Sequence, residues 1–164
     1  MRPLILILSM LTTVTGASLA DQINGRIKAI NLNDKTIEIS GVEVIADGAS
    51  VQGEAGSSIV LSDLDINHRV EVTGSLGNGR MWAKKIQKVS AGYDKVAGNV
   101  SSVNGNAKKI NIGGIDVKVP NNATLEDSQD SPITFDKLTP GNVVQCKGLW
   151  TGPREFMSRS VKLQ

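Results

Sequence analysis

The chain repeats itself: one order of valines, isoleucines and glycines runs through residues 22–89 and again through residues 95–163. A duplicated pattern restricts the possible folds more than any other feature of a sequence, because whatever one copy forms the other must form too. Positions where the copies agree are those the fold requires. Each unit, about 70 residues long, lies near the lower end of the size at which a single apolar core sustains folding.

Alternation identifies the elements. In Thr36-Ile37-Glu38-Ile39 the apolar residues occupy every second position, the parity flips across Ser40-Gly41, and alternation resumes in Val42-Glu43-Val44. A parity flip over two residues marks a tight hairpin, and the second copy supplies Gly113-Gly114 at the same place, residues that accept the positive φ of a type I′ or II′ turn. A long strand precedes each hairpin. Its inward parity shifts at Ala29-Ile30 and again at Ser102-Val103, which predicts a bulge or bend. After the hairpin each copy spends about twenty polar residues, long for a structureless connection in so small a unit and suited to crossing one end of a barrel. Ser50-Val51 and Thr124-Leu125 are expected to pair briefly within it. Leu61 to Leu64 and Phe135 to Leu138 read as single helical turns that plug the barrel. A final hairpin closes each copy, turning at Asn78-Gly79 or Gly152-Pro153. The expected fold is all-β, two tandem five-stranded antiparallel OB-like barrels or open rolls, over residues 21–90 and 95–164 with a linker at 91–94.

Residues 1–20 belong to a different reading. Arg2, an apolar run of about eight residues and the small-x-small site Ser18-Leu19-Ala20 suggest a cleaved secretory leader, since a spanning helix wants about 20 apolar residues. The mature chain would then begin at Asp21, periplasmic or secreted, with no stable membrane insertion. The formal net charge is +2, one unit of it from Arg2, which is no footprint for nucleic acid. The one cysteine, Cys146, excludes an intramolecular disulfide, so stability must come from buried apolar surface.

These motifs resemble a known family. Gly25-x-Ile27, the hairpin glycine before Val42-x-Val44, Asp63-Leu64 leading to Val70-x-Val72-x-Gly74, and Asn78-Gly79 leading to Ala83-x-x-Ile86 look like the bacterial family called domain of unknown function 5666. The second copy is similar through Gly98-x-Val100, Gly114-Ile115-x-Val117, Leu138-Thr139-Pro140-Gly141-Asn142, Val144-x-Cys146-x-Gly148 and Ser158-x-x-Val161. The first copy departs at Asn67-His68, where the family has a Gly-Asp turn. The resemblance implies a fold and no activity.

Catalytic chemistry has few candidates. His68 is the one histidine, which rules out multi-histidine metal sites, and it aligns with Asn142 in a turn. Cys146 takes the inward position that Val72 holds in the first copy, as a small buried hydrophobe does. Glu126-Asp127-Ser128-Gln129-Asp130 and Asp63-x-Asp65 place carboxylates in loops without EF-hand spacing and read as solvated loop polarity. Aromatic residues make up 3% of the chain and none stands on the middle strands, so the stacking platform of a single-strand nucleic-acid binder is missing.

The expected function is therefore binding or scaffolding in the bacterial envelope through another envelope protein, with no catalysis and no cofactor. The alternative is a carrier of a small ligand, a metal or a glycan, held at a barrel mouth or between the barrels. The copies differ most at the final hairpin, where Ser75-Leu76-Gly77-Asn78-Gly79-Arg80 becomes Leu149-Trp150-Thr151-Gly152-Pro153-Arg154. Trp150 and Arg154 are the candidate partner contact, since tryptophan and arginine are enriched among interface hot spots. Trp150 folded back to seal the gap between the barrels is the competing reading.

Overall fold

The structure, a computed structural model, describes residues 19–164. The leader read over residues 1–20 thus lies, up to residue 18, outside the described residues. In the first copy the strands are β1 (Asp21–Arg26), β2 (Ala29–Asn31), β3 (Thr36–Ile39), β4 (Val42–Ile45), β5 (Ser50–Gln52), β6 (Arg69–Gly77) and β7 (Arg80–Lys88). The second has β8 (Asp94–Asn104), β9 (Lys109–Ile112), β10 (Ile115–Lys118), β11 (Thr124–Glu126), β12 (Val143–Gly152) and β13 (Glu155–Leu163). Short 3-10 turns at Leu61–Asp63 and Phe135–Lys137 stand where single helical turns are expected, and Leu64 and Leu138 just after them are 3% exposed.

The predicted bend in the long first strand comes slightly earlier than its parity suggests. The first copy breaks at Ile27-Lys28, between β1 and β2, and β8 shifts register between Val100 and Ser102. An extra residue at that point turns the strand so that Ile27 and Val100 stay buried. The short pairings at Ser50 and Thr124 also form, each alongside the last strand of its copy.

In the second copy the pairings make a closed path, β8 to β9 to β10 to β13 to β12 and back to β8. The first copy follows the same route through β2, β3, β4, β7, β6 and β1. The expectation of purely antiparallel strands needs correcting, because β4 with β7 and β10 with β13 run parallel and the sheet is mixed. The twenty-residue crossing is the cause. It carries the chain across before the final hairpin, so the last strand arrives in the same direction as the third.

Alternate side chains fill the interiors. Ile23, Ile39, Val44, Val72, Met81 and Ile86 are fully buried, and their counterparts Val96, Ile112, Val117, Cys146, Phe156 and Val161 are at most 1% exposed. Each such side chain contributes about 1.5 to 3 kcal/mol relative to exposure, so buried apolar surface supplies the stability that disulfides give many small domains.

The two copies share one sheet. β1 pairs antiparallel with β8, Gln22 facing Ala97, Ile23 facing Val96 and Asn24 facing Lys95. Ile23 and Val96 are equivalent residues, each two before the glycine of its Gly-x-Ile or Gly-x-Val motif. Their direct pairing puts a pseudo-twofold axis through this point, so that the interface between the repeats is built from the same patch used twice.

Candidate functional site

Turn chemistry positions the seam beyond that axis. Ser40-Gly41 and Gly113-Gly114 both take positive φ, which makes the first hairpins tight enough to be met end-on by the final hairpin of the other copy. Arg154 N donates to Ser40 O at 2.6 Å, and the equivalent Gly79 N donates to Gly113 O at 2.7 Å. The tips that a free module would present outward thus face each other.

Trp150 lies on this seam. It is half-buried, its Nε1 donates to Asn24 O of the first copy at 2.9 Å, and its ring meets Phe156 edge-on at 5.2 Å and 83°. Gly25 lets it approach: a methyl group there would stand 2.8 Å from Trp150 Nε1 and 2.5 Å from Ile39 Cγ2. Leu76 occupies the equivalent place in the first copy and leans on Gly113. Arg154 is exposed, with φ at 57°, where the first copy has Gly79 at 73°. Its side chain lies over Gly79 itself, since a methyl there would be 2.7 Å from Arg154 Nη1. Both candidate contact residues therefore touch the first repeat of their own chain.

A cavity of about 400 Å³ opens beside Trp150, lined among others by Arg26, Lys28, Glu38, Arg69, Asp94 and Pro153. Arg69 reaches from β6 to the Asp94 carboxylate at the start of β8, with 12% and 14% of the two side chains exposed. Burial pushes the Asp94 carboxyl above its ordinary range, against the opposing pull of the Arg69 and Arg26 charges and the Trp150 backbone N–H. Arg69 Nε and Asn24 Oδ1 are the buried side-chain polar atoms without a hydrogen-bond partner among the described residues, and both belong to the seam. Nothing in the local pattern pointed to Arg26, Lys28 or Arg69. The repeat does carry a signal, since the second copy has Asn99, Ser101 and Val143 at those positions.

The shared sheet also presents a broad polar face. Its registers place Gln87, Glu71, Asn24, Lys95, Lys147 and Ser160 in one cross-strand row. Lys85, Thr73, Gln22, Ala97, Gln145 and Lys162 make the next. Four lysines thus share this face with one acid, Glu71, which stands 3.7 Å from Lys95 Nζ. Lys162 is held at 2.5 Å by Asp130 from the acidic loop, an ion pair that raises the lysine's pKa.

The other candidates have structural tasks. His68 Nδ1 accepts from Asp65 N at 2.9 Å, just as Asn142 Oδ1 accepts from Thr139 N at 2.8 Å, so the imidazole replaces an amide oxygen as a turn cap. Cys146 is fully buried, and burial pushes its thiol up to about 12, far from the thiolate that redox or metal chemistry uses. Asp127 Oδ1 accepts from Gln129 N and Ser131 N at 2.9 Å each, closing its own loop, and Asp63 Oδ2 accepts from Val60 N at 2.9 Å. Among the described residues no three His, Cys, Asp or Glu side chains group as a metal site. The double variant His68→Asn with Cys146→Val borrows the residue of the opposite copy at each position. It should stay within about 1 kcal/mol of the parent in a denaturant melt, since volume and turn acceptor are both kept. It should also keep its biological role; a folded variant without that role would restore a metal or redox reading.

A family model described as Domain of unknown function (DUF5666) matches the chain twice, over residues 24–87 and 97–161. No curated protein and no solved structure matches it.

Proposed function

The chain belongs to the DUF5666 family in two tandem copies, and from that premise we propose that it is an exported, non-catalytic binding or scaffolding module of the bacterial envelope. The closed strand path, with its third and fifth strands parallel, supports reading each copy as an OB-like barrel. Arg2, the apolar run after it and the site ending at Ala20 support export, and no helix among the described residues is long and apolar enough to cross a membrane.

One observation carries the binding reading. The β1–β8 pairing turns two small units into a single surface six strands wide, with four lysines and one glutamate in the two rows that cross it. Of these, Lys162 is paired by Asp130 and Lys95 by Glu71, while Lys85 and Lys147 have no ion-pair partner among the described residues. A surface of that width and sign suits an acidic face of another envelope protein, because complementary charge speeds encounter and fixes orientation. The hairpin tips are spent on the seam, which leaves this face as the proposed contact.

Native mass spectrometry of the chain purified from its own envelope tests the reading. A co-purifying protein chain is expected, and Lys95→Glu with Lys147→Glu should slow its association by on the order of tenfold or more at low salt. A co-purifying small mass that survives both substitutions would favour the carrier reading instead.

A further inference from the structure

We infer that the cavity beside Trp150 is an oxyanion site, holding a small ligand by a carboxylate or phosphate group through Arg26, Lys28 and Arg69. The duplication acts as an internal control. The pseudo-twofold axis maps this cavity onto a region of the seam where Arg26, Lys28, Glu38, Arg69 and Trp150 become Asn99, Ser101, Asn111, Val143 and Leu76. On that second side the polar groups satisfy one another: Ser101 Oγ donates to Asn111 O at 3.0 Å, and Asn111 Nδ2 donates to Asp116 Oδ1 at 2.8 Å. The same backbone therefore closes with Asn99, Ser101 and Val143 in place of the three cations, while its acids are held by neutral donors, Asp116 by Asn111 Nδ2 and Asp21 by Leu76 N. The cations of the first side are thus not needed for the fold.

Their hydrogen-bonding capacity is largely unspent. A guanidinium offers five N–H donors, and Arg26 uses its Nη1 on Asn67 O at 3.0 Å. Arg26 and Lys28 have no ion-pair partner among the described residues, and both are exposed. Of the two acids present, Asp94 is taken up by Arg69, and Glu38 Oε1 accepts from Gly41 N at 3.3 Å. Arginine binds carboxylate and phosphate alike in a two-pronged geometry, and Trp150 and Pro153 supply apolar wall beside the cations. The volume of about 400 Å³ is that of an ordinary small-molecule site. This inference is independent of the sheet face proposed above.

Calorimetric titration of the full chain with inorganic phosphate and, separately, with citrate at constant ionic strength tests it. Saturable binding of at least one probe is expected, phosphate marking a tetrahedral group and citrate a carboxylate. Arg26→Asn with Lys28→Ser, which installs the second copy's residues, should weaken it at least tenfold. Lys28→Ser alone, an exposed change that keeps the fold intact, should weaken it severalfold, and Lys95→Gln on the sheet face should leave it unchanged. The inference is overturned if neither probe saturates, if the Arg26 and Lys28 variants bind as the parent does, or if Lys95→Gln abolishes binding equally.

Discussion

Gly148→Ala will destabilise the protein by about 3 kcal/mol or more, since overpacking against backbone leaves nothing able to rotate away. β12 shifts register against β13 between Lys147 and Gly148, and the strands press together there. A methyl group on Gly148 would stand 2.0 Å from Met157 O and 2.9 Å from Ser158 Cα. Gly74→Ala should behave alike, for its methyl would stand 2.0 Å from Trp82 O at the matching shift between Thr73 and Gly74. Thermal unfolding should fall by about 10 °C in either variant, given the entropy of unfolding for a chain of this size. Gly105→Ala is the control: nothing lies within 4 Å of the added methyl. Parent-like melting of Gly148→Ala would contradict the bulge.

Trp150→Ala should cost about 2 to 4 kcal/mol, somewhat below the range for a fully buried tryptophan because the ring is half-buried. It removes the edge-on contact with Phe156, the hydrogen bond to Asn24 O and the packing over Gly25, all at the junction of the repeats. Trp150→Phe keeps an aromatic ring against Phe156 and forfeits the hydrogen bond and part of the indole, so it should lose less, about 1 to 2 kcal/mol. Denaturant melts of the two variants separate these parts. If Trp150→Ala melts as the parent does, the residue is no seal, and an outward partner contact becomes the better account of it.

Much of the fold was legible along the chain. The flip at Ser40-Gly41, the glycines at 113 and 114 and the alternation around them located each hairpin, because strand parity and turn chemistry act over a few residues. Comparison of the copies placed Cys146 in the core through Val72 and His68 in a turn through Asn142. The parallel pairing was not foreseen, since alternation tells which side chains face inward and says nothing of strand direction. The purpose of Trp150 remained divided between seal and contact, as its neighbours Asn24 and Gly25 are more than a hundred residues away in sequence.

The sequence by itself determined two all-β repeats with their hairpins and inward residues, because each is dictated by local periodicity and stated twice; the last turn alone falls one residue later than its Gly152-Pro153 signal, at Pro153-Arg154. Only the tertiary structure decided that Ile23 meets Val96 on a pseudo-twofold axis, that the hairpin tips turn toward one another, and that Arg26, Lys28 and Arg69 gather beside Trp150. Those contacts join residues far apart in the chain, across an edge whose free N–H and C=O groups would accept any strand of suitable register. Which strand docks there is settled by the packing of both copies at once, and no short stretch of sequence carries that information.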